Sequence, residues 1–515
     1  MNGAQALLHT AASAGIEVCF ANAGTTEMPI VTAFDTNPQI KPILGLFEGV
    51  CTGAADGYGR MKEKPALTLL HLGPGMANGI ANLHNARRAR SPFFMVIGEH
   101  ASWHIQADPL LHMDIAGLCR TFSGWQRTST SVGVISRDTA EGIAACRCGQ
   151  IASLIIPSDY LGAEYSGDLS SEPAFSPDPI EPERIEAAAQ ILLSGKKTAL
   201  IMNGRALLQE ALTSAARIKA KMGCDLFSVT FPARIERGAG IVPVTRIPYF
   251  PEPAMDLLAS YEVALFVGTD EPATFFGYEG LSSYFMKPEV NRLRLDGNRQ
   301  DAATALEALA DMLDAPSGVF LEGVLAPYRR PELPVGKLTP EKICLTVAAL
   351  QPENAIVVDE GQTSTTAYST LGATVEPHSL LYLTGGAIGQ GMPCATGAAV
   401  ACPDRTVINI QADGSGMYTL QSMWTQAREG LNVKTLICAN RSYNIIRVEL
   451  NRVGYTAPGT PALSLIDLGN PNLDWVSLGK GMGVPGVAVE TAEDLARELK
   501  IALAEAGPRL IEMVL

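Results

Sequence analysis

The two residues with the strongest chemical signature are Asp413 and Asn440. Thr406 to Ile410 reads as a strand that leads through Gln411 into the turn Ala412-Asp413-Gly414-Ser415, with a helix expected from about Gly416 to Glu429. A second strand, Lys434 to Cys438, then runs into Ala439-Asn440-Arg441-Ser442-Tyr443. A strand, a crossover helix and a parallel return strand bring both side chains to one carboxyl-end edge of a sheet, where open α/β folds bind ligands. A carboxylate, an amide oxygen and a nearby main-chain carbonyl are hard ligands that suit Mg2+, which keeps its other positions for water and phosphate oxygens. The expected helix would add free N–H groups and its positive dipole end. The pattern predicts a site for a magnesium-bound diphosphate.

Such an edge needs a parallel sheet, and the chain is patterned for several. Short β-branched runs alternate with Ala-rich helical stretches, as in layered α/β proteins. An amino-terminal helix, Ala4 to Ala14, precedes a strand, Glu17 to Phe20, that enters the Asn22-Ala23-Gly24-Thr25 turn. The strand Ala66 to Leu70 runs into His71-Leu72-Gly73-Pro74-Gly75 and a helix, followed by the strand Phe93 to Ile97. Tyr165 to Arg184, rich in Ser, Pro and acids, reads as a linker. A central block follows, with strands at Thr198 to Met202 and Val263 to Val267. Beyond the Pro-rich stretch Ala326 to Val335, a third block carries strands near Ala355, Leu380, Thr406 and Lys434. Together these predict an α/β fold of three domains with parallel sheets, at 1–165, 183–316 and 336–515. A length of 515 residues fits three domains at ~150 residues each.

Composition narrows the function classes. The formal charge is −14, with no cluster of Lys or Arg, so no nucleic-acid partner is expected. No apolar run reaches the length of a membrane span, and the amino terminus lacks a basic segment before its apolar stretch. A cytoplasmic location is expected, with the ten scattered cysteines as reduced thiols. Three other motifs fail. Gly73-Pro74-Gly75-Met76-Ala77-Asn78-Gly79 places its third glycine one position late for a dinucleotide fingerprint. Ser415 lacks the flanking glycines of a nucleophile elbow. His100, His104 and His112 show no zinc-binding spacing.

The Asp413 and Asn440 segments resemble the thiamine-diphosphate-dependent 2-oxoacid decarboxylases and acetohydroxyacid synthases, whose motif is Gly-Asp-Gly, a spacer, then Asn-Asn. Here both outer positions depart, as Ala412 and Ala439. Glu48, in the apolar run Leu44-Gly45-Leu46-Phe47-Glu48-Gly49 before Ala55-Asp56-Gly57-Tyr58, resembles the family's cofactor-activating glutamate. Leu383 to Pro393 resembles its glycine-rich entry to the pyrimidine site, and Asp359 to Ser364 a segment of diphosphate contacts. Asn22 to Thr25, His71 and Thr363 to Thr366 are most similar to the benzoylformate decarboxylases within the family, with acetolactate synthase large-subunit-like proteins close by.

The resemblance implies a pyrimidine-binding, a central and a diphosphate-binding domain, in that order. It implies Asp413, Asn440 and the Ser442 carbonyl as ligands of Mg2+ (or Ca2+). By the same resemblance Thr363, Ser364, Gly414, Ser415 and Tyr443 would be the remaining cofactor contacts. The Gly386 carbonyl would accept from the cofactor's 4′-amino group, and Ile388 would be the wedge that bends the cofactor. Glu48 would share a proton with the pyrimidine, a role that suits a carboxylate in apolar surroundings. His71 would bind the substrate carboxylate or relay a proton, and the Thr25 hydroxyl would hydrogen-bond the substrate. The expected reaction is non-oxidative decarboxylation of a 2-oxoacid. The alternatives are an acetolactate-synthase-like carboligase that joins the same carbanion to a second carbonyl, and a decayed cofactor-binding protein. A homodimer or homotetramer with the site between subunits is expected, acting on a small 2-oxoacid or aldehyde. FAD is not expected, because Asn203-Gly204-Arg205 offers little glycine-rich backbone for a dinucleotide pyrophosphate.

Overall fold

A computed structural model describes residues 1–321, 323–455 and 459–515. The first of its three sheets contains β1 (Val18–Asn22), β2 (Lys41–Leu44), β3 (Ala66–Leu70), β4 (Phe93–Glu99), β5 (Trp125–Thr128) and β6 (Ile151–Pro157). Their order is β2-β1-β3-β4-β6-β5, and all pairs are parallel. Every residue of β3, β4 and β6 is buried, as expected of parallel strands covered on both faces.

The central sheet holds β7 (Thr198–Met202), β8 (Asp225–Ser228), β10 (Thr245–Arg246), β11 (Val263–Val267) and β12 (Asn291–Arg294), in the order β10-β8-β7-β11-β12. The third has β13 (Ile356–Glu360), β14 (His378–Tyr382), β15 (Val407–Ala412), β16 (Val433–Ala439), β17 (Gly486–Val489) and β18 (Arg509–Val514). It also recruits β9 (Ile235–Arg237) from the central stretch, giving the order β17-β18-β16-β15-β13-β14-β9. The expected α/β fold with parallel sheets is present, and β9 adds an antiparallel edge by pairing with β14. An antiparallel edge strand can arrive through a loop, without the crossover that parallel pairing requires.

The first and third units meet through two helices, Glu48–Lys62 and Gly391–Ala401. Both are rich in Gly and Ala because their backbones nearly touch. A Cβ on Gly57 would fall 2.0 Å from the Cys394 carbonyl oxygen, and one on Gly397 would fall 1.8 Å from that of Ala54. One apolar core runs through this junction, from Phe20, Cys51 and Leu83 to Ile356, Leu381 and Val433. The Asp56 carboxylate sits inside it, paired with Arg60 at 2.7 Å and accepting from the Gln390 amide at 2.7 Å and from Ser91. Arg60 also donates to the Tyr382 carbonyl at 2.8 Å and the Thr384 hydroxyl at 2.9 Å. The helix that begins at Glu48 therefore also fixes the glycine-rich loop that follows β14.

Candidate active site

β15 and β16 are adjacent and parallel, in register from Val407 with Val433 to Ala412 with Cys438. Their ends bring Asp413 and Asn440 together as the spacing requires. One Asp413 oxygen accepts the Arg441 N–H at 2.6 Å, and the other accepts its neighbour's N–H, from Gly414, at 2.8 Å. Burial is the first cause that raises the Asp413 carboxyl above the usual range, and those two N–H groups pull it back. Among the described residues no Lys, Arg or His forms an ion pair with this buried carboxylate. It is suited to a cation from outside the chain.

The two departures from the family motif are neutral to the backbone. Ala412 has φ −73 and ψ 145, which any residue adopts, and Ala439 is a buried residue of β16. Arg441 takes φ +56 and turns the chain back. Asn440 Oδ1 then accepts from the Ser442 N–H at 3.0 Å, and the Ser442 hydroxyl donates to the Ile466 carbonyl at 3.1 Å. The Ser442 carbonyl already accepts from the Asn444 N–H at 2.8 Å, which leaves one lone pair for a metal. Asn444 also donates to the Thr363 hydroxyl at 3.2 Å, bringing the loop after β13 to the cluster.

Ser364 lies deeper: it is buried, its carbonyl accepting from the Cys344 thiol at 3.5 Å. Ser415 is buried too, between the Ala412 carbonyl and the Gln411 amide. Tyr443 packs its ring over Gly414. The helix expected from Gly416 to Glu429 is corrected to one turn, Asp413–Gly416, and a separate helix, Ser422–Arg428. The break lets Thr419 donate to the Gly389 carbonyl at 2.8 Å.

Several polar groups of the Thr384–Gly391 backbone are held by side chains from other elements. His84, Asn85 and Asn82 donate to the carbonyls of Gly385, Ala387 and Gly389. Glu360, a residue the sequence reading did not single out, accepts the Gly389 N–H at 2.6 Å and also that of Gly391. Burial pushes its pKa up to about 6. Among the described residues no donor reaches the Gly386 carbonyl. Gly386 adopts φ +75, and a Cβ there would lie 2.4 Å from the Phe275 ring, so only glycine fits. Ile388 is half-buried in the same loop. A free carbonyl beside a half-buried branched side chain, together with a buried carboxylate that has no cation, fits a cofactor with an amino-bearing ring and a metal-bound diphosphate.

On the first sheet, Glu48 begins its helix with only 9% of its surface exposed, and accepts from the Asn78 amide at 3.0 Å. A Cβ on Gly75 would stand 3.0 Å from the Glu48 Oε1 and 3.3 Å from the His71 Cβ. Glu48 and His71 therefore flank one point. His71 is oriented by Glu27, a fully buried carboxylate 2.8 Å from its Nδ1. Glu27 also accepts from the Gly24 N–H and the Thr26 hydroxyl, at 2.8 and 2.6 Å. Thr25 is exposed, and the hydroxyl beside the imidazole belongs to Thr26, at 3.3 Å from Nδ1. Thr-Thr-Glu-Met-Pro resembles any helix start, so Glu27 gave no chemical signal in the sequence. His100 and His104 stack edge-on at 5.9 Å, and no group of three or more potential metal-ligating His, Cys, Asp or Glu is found among the described residues.

Comparison with known proteins adds four findings. Residues 1–118 match the family described as thiamine pyrophosphate enzyme, N-terminal TPP binding domain, and residues 359–513 match its C-terminal TPP binding domain. A Mycobacterium tuberculosis protein with the provisional name acetolactate synthase large subunit IlvX is 45% identical over 100% of this chain and 99% of its own. Benzoylformate decarboxylase of Pseudomonas aeruginosa is 26% identical over 97% of this chain and 96% of its own. The structure of a Rhodococcus jostii thiamine diphosphate-dependent 4-hydroxybenzoylformate decarboxylase shares the fold, with a TM-score of 0.87 at 22% identity, over 100% and 99% of the two chains.

Proposed function

Because this chain belongs to the thiamine pyrophosphate enzymes, we propose that it uses thiamine diphosphate and Mg2+ (or Ca2+) to decarboxylate a 2-oxoacid. Asp413, Asn440 and the Ser442 carbonyl would hold the metal, with Thr363, Gly414 and Tyr443 beside the diphosphate. The Gly386 carbonyl and Ile388 would seat the pyrimidine. When bound, thiamine diphosphate supplies a thiazolium that accepts the electron pair left by the departing carboxylate.

The residues of the chain do the rest. Glu48, held by Asn78, would exchange a proton with the pyrimidine nitrogen. His71, its ring fixed by Glu27, receives the substrate carboxylate or delivers a proton to the product carbon. The observation that carries decarboxylation is this Glu27–His71 pair beside Glu48, since ending the reaction as an aldehyde requires a proton donor at that carbon.

A second reading, carboligation, is favoured by the name of the 45% identical relative. One experiment separates them. The Mg2+- and thiamine diphosphate-loaded protein is incubated with pyruvate, 2-oxobutyrate, benzoylformate and phenylpyruvate, and aldehydes are resolved from acyloins. Aldehyde as the main product supports the first reading; acetolactate from pyruvate, or a stoichiometric flavin spectrum, overturns it.

The domains at 1–165, 183–316 and 336–515 would serve as pyrimidine-binding, central and diphosphate-binding units. A cytoplasmic homodimer or homotetramer with the site between subunits is part of the proposal. Trp103 and Leu110 after β4, at 76% and 103% exposure, and Leu46 beside Glu48, at 45%, are apolar side chains that a second copy would cover. Light scattering on the purified protein tests it, and a monomer at micromolar concentration overturns it. No helix among the described residues is long and apolar enough to cross a membrane.

A further inference from the structure

The central stretch between β11 and β12 reaches over the open edge of the third sheet, and the chemistry above gives it no task. Its Phe275 ring rests on Gly386, 2.4 Å from where a Cβ would stand. Phe275 is 41% exposed and Phe276 52%, so neither ring is filling a core. Phe276, Tyr249 and Phe231 hold Phe275 in place, with ring centroids at 5.0, 5.3 and 5.8 Å in the edge-on and tilted arrangements that aromatic pairs prefer. Three residues further on, the Tyr278 hydroxyl donates to Glu449 at 3.0 Å. Glu449 belongs to the helix Asn444–Arg452, which directly follows the Asn440–Tyr443 segment. The aromatic strip is therefore anchored on the glycine loop at one end, and on the helix beyond the metal-type cluster at the other. A group held by both the glycine loop and the Asp413–Asn440 cluster would lie alongside this strip.

We propose that Phe275 and Phe276 are specificity-determining residues. They meet the substrate's side chain and select 2-oxoacids with an aromatic or branched apolar side chain over those with a second carboxylate. The inference rests on the 2-oxoacid reading above and adds the class of substrate. Such rings offer contact area to an apolar group and no donor to an anion, and an unpaired buried charge is strongly disfavoured. Arg452 is already committed: its guanidinium lies 4.5 Å from both the Phe250 and Tyr278 ring centres, and it pairs with Glu252 at 3.0 Å.

The test uses substrate analogues that bind without turnover: benzoylphosphonate, 3-methylbutanoylphosphonate and succinylphosphonate. Each is titrated calorimetrically into the Mg2+- and thiamine diphosphate-loaded protein, as wild type, Phe275→Ala, Phe276→Ala and Phe275→Leu. The expected result is that the two apolar analogues bind wild type about tenfold or more tightly than succinylphosphonate. That ratio falls toward one in Phe275→Ala and survives in Phe275→Leu, with each variant saturated with cofactor before the titration. Equal or tighter binding of succinylphosphonate, or a ratio that persists in both alanine variants, overturns the inference and leaves the 2-oxoacid reading standing. If no acylphosphonate binds although the cofactor does, the 2-oxoacid reading itself fails and the inference falls with it.

Discussion

Replacing Glu360 by glutamine should improve stability relative to wild type as pH rises, and should leave the protein poorer at holding its cofactor. The carboxyl is buried behind the glycine-rich loop, with its pKa raised from 4.5 to about 6. Between those values the folded chain keeps a proton that the unfolded chain has released. The stability it contributes is therefore fully present below about 4.5 and is lost as pH rises through about 6. At ~1.36 kcal/mol per pH unit the loss is about 2 kcal/mol. Glutamine does not ionise, so the free-energy difference between variant and wild type should shift by about 2 kcal/mol in the variant's favour from pH 4.5 to pH 8. Urea unfolding of both proteins across that range measures it. The ionised carboxylate is also the better acceptor for the Gly389 and Gly391 N–H groups. With an amide there, one N–H loses its acceptor, and thiamine diphosphate affinity should fall about tenfold. A stability difference that stays flat with pH would refute the placement of an ionised Glu360 against that loop.

Glu48→Gln should fold and bind the Mg2+–cofactor complex but lose proton–deuterium exchange at the thiazolium C2, read by NMR after acid quench, by about a hundredfold or more. Asp413→Ala should weaken cofactor binding by about a hundredfold or more in calorimetric titration, and Asn440→Ala by less, because water replaces a neutral ligand more readily than a charged one. Glu27→Gln should slow turnover roughly tenfold or more while leaving calorimetric cofactor affinity unchanged, since it acts by orienting His71 rather than by touching the cofactor. Gly386→Ala should raise the cofactor Kd, because the added methyl collides with Phe275; an unchanged Kd would mean that the loop has no such role.

The parts of the site legible in the sequence share one property: their position along the chain reports their position in space. Asp413 and Asn440 end adjacent parallel strands, so counting residues from strand to strand was enough. Glu27, Glu360 and Phe275 act across the fold. Glu27 reaches His71 from 44 positions away, Glu360 reaches Gly389 from 29, and Phe275 reaches Gly386 from another unit. Side-chain direction mattered as well. Thr25 and Thr26 are adjacent hydroxyls, and only the turn geometry decides which one faces the imidazole. Among the strands, the buried apolar runs β3, β7 and β11 stand at their expected limits. β9, three residues long and flanked by Ala233-Arg234 and Gly238, has no periodicity by which to be found.

That short strand ties the central and third units together through hydrogen bonds. β9 caps the outer edge of β14, the Glu236 carboxylate takes the Ser379 hydroxyl, and Arg237 reaches the Ser369 carbonyl. Two residues before it, the Ala233 carbonyl accepts from Arg60, whose own backbone carbonyl accepts from Arg234. A fragment cut at the Pro-rich stretch would therefore expose an unpaired strand edge, which invites pairing between chains and aggregation. On the ribosome, the central stretch emerges with β9 unpaired and waits more than a hundred residues for β14. Loss of the segment around 235–237 would thus be felt as failed assembly of the cofactor-binding sheet, although none of its residues comes near the chemistry.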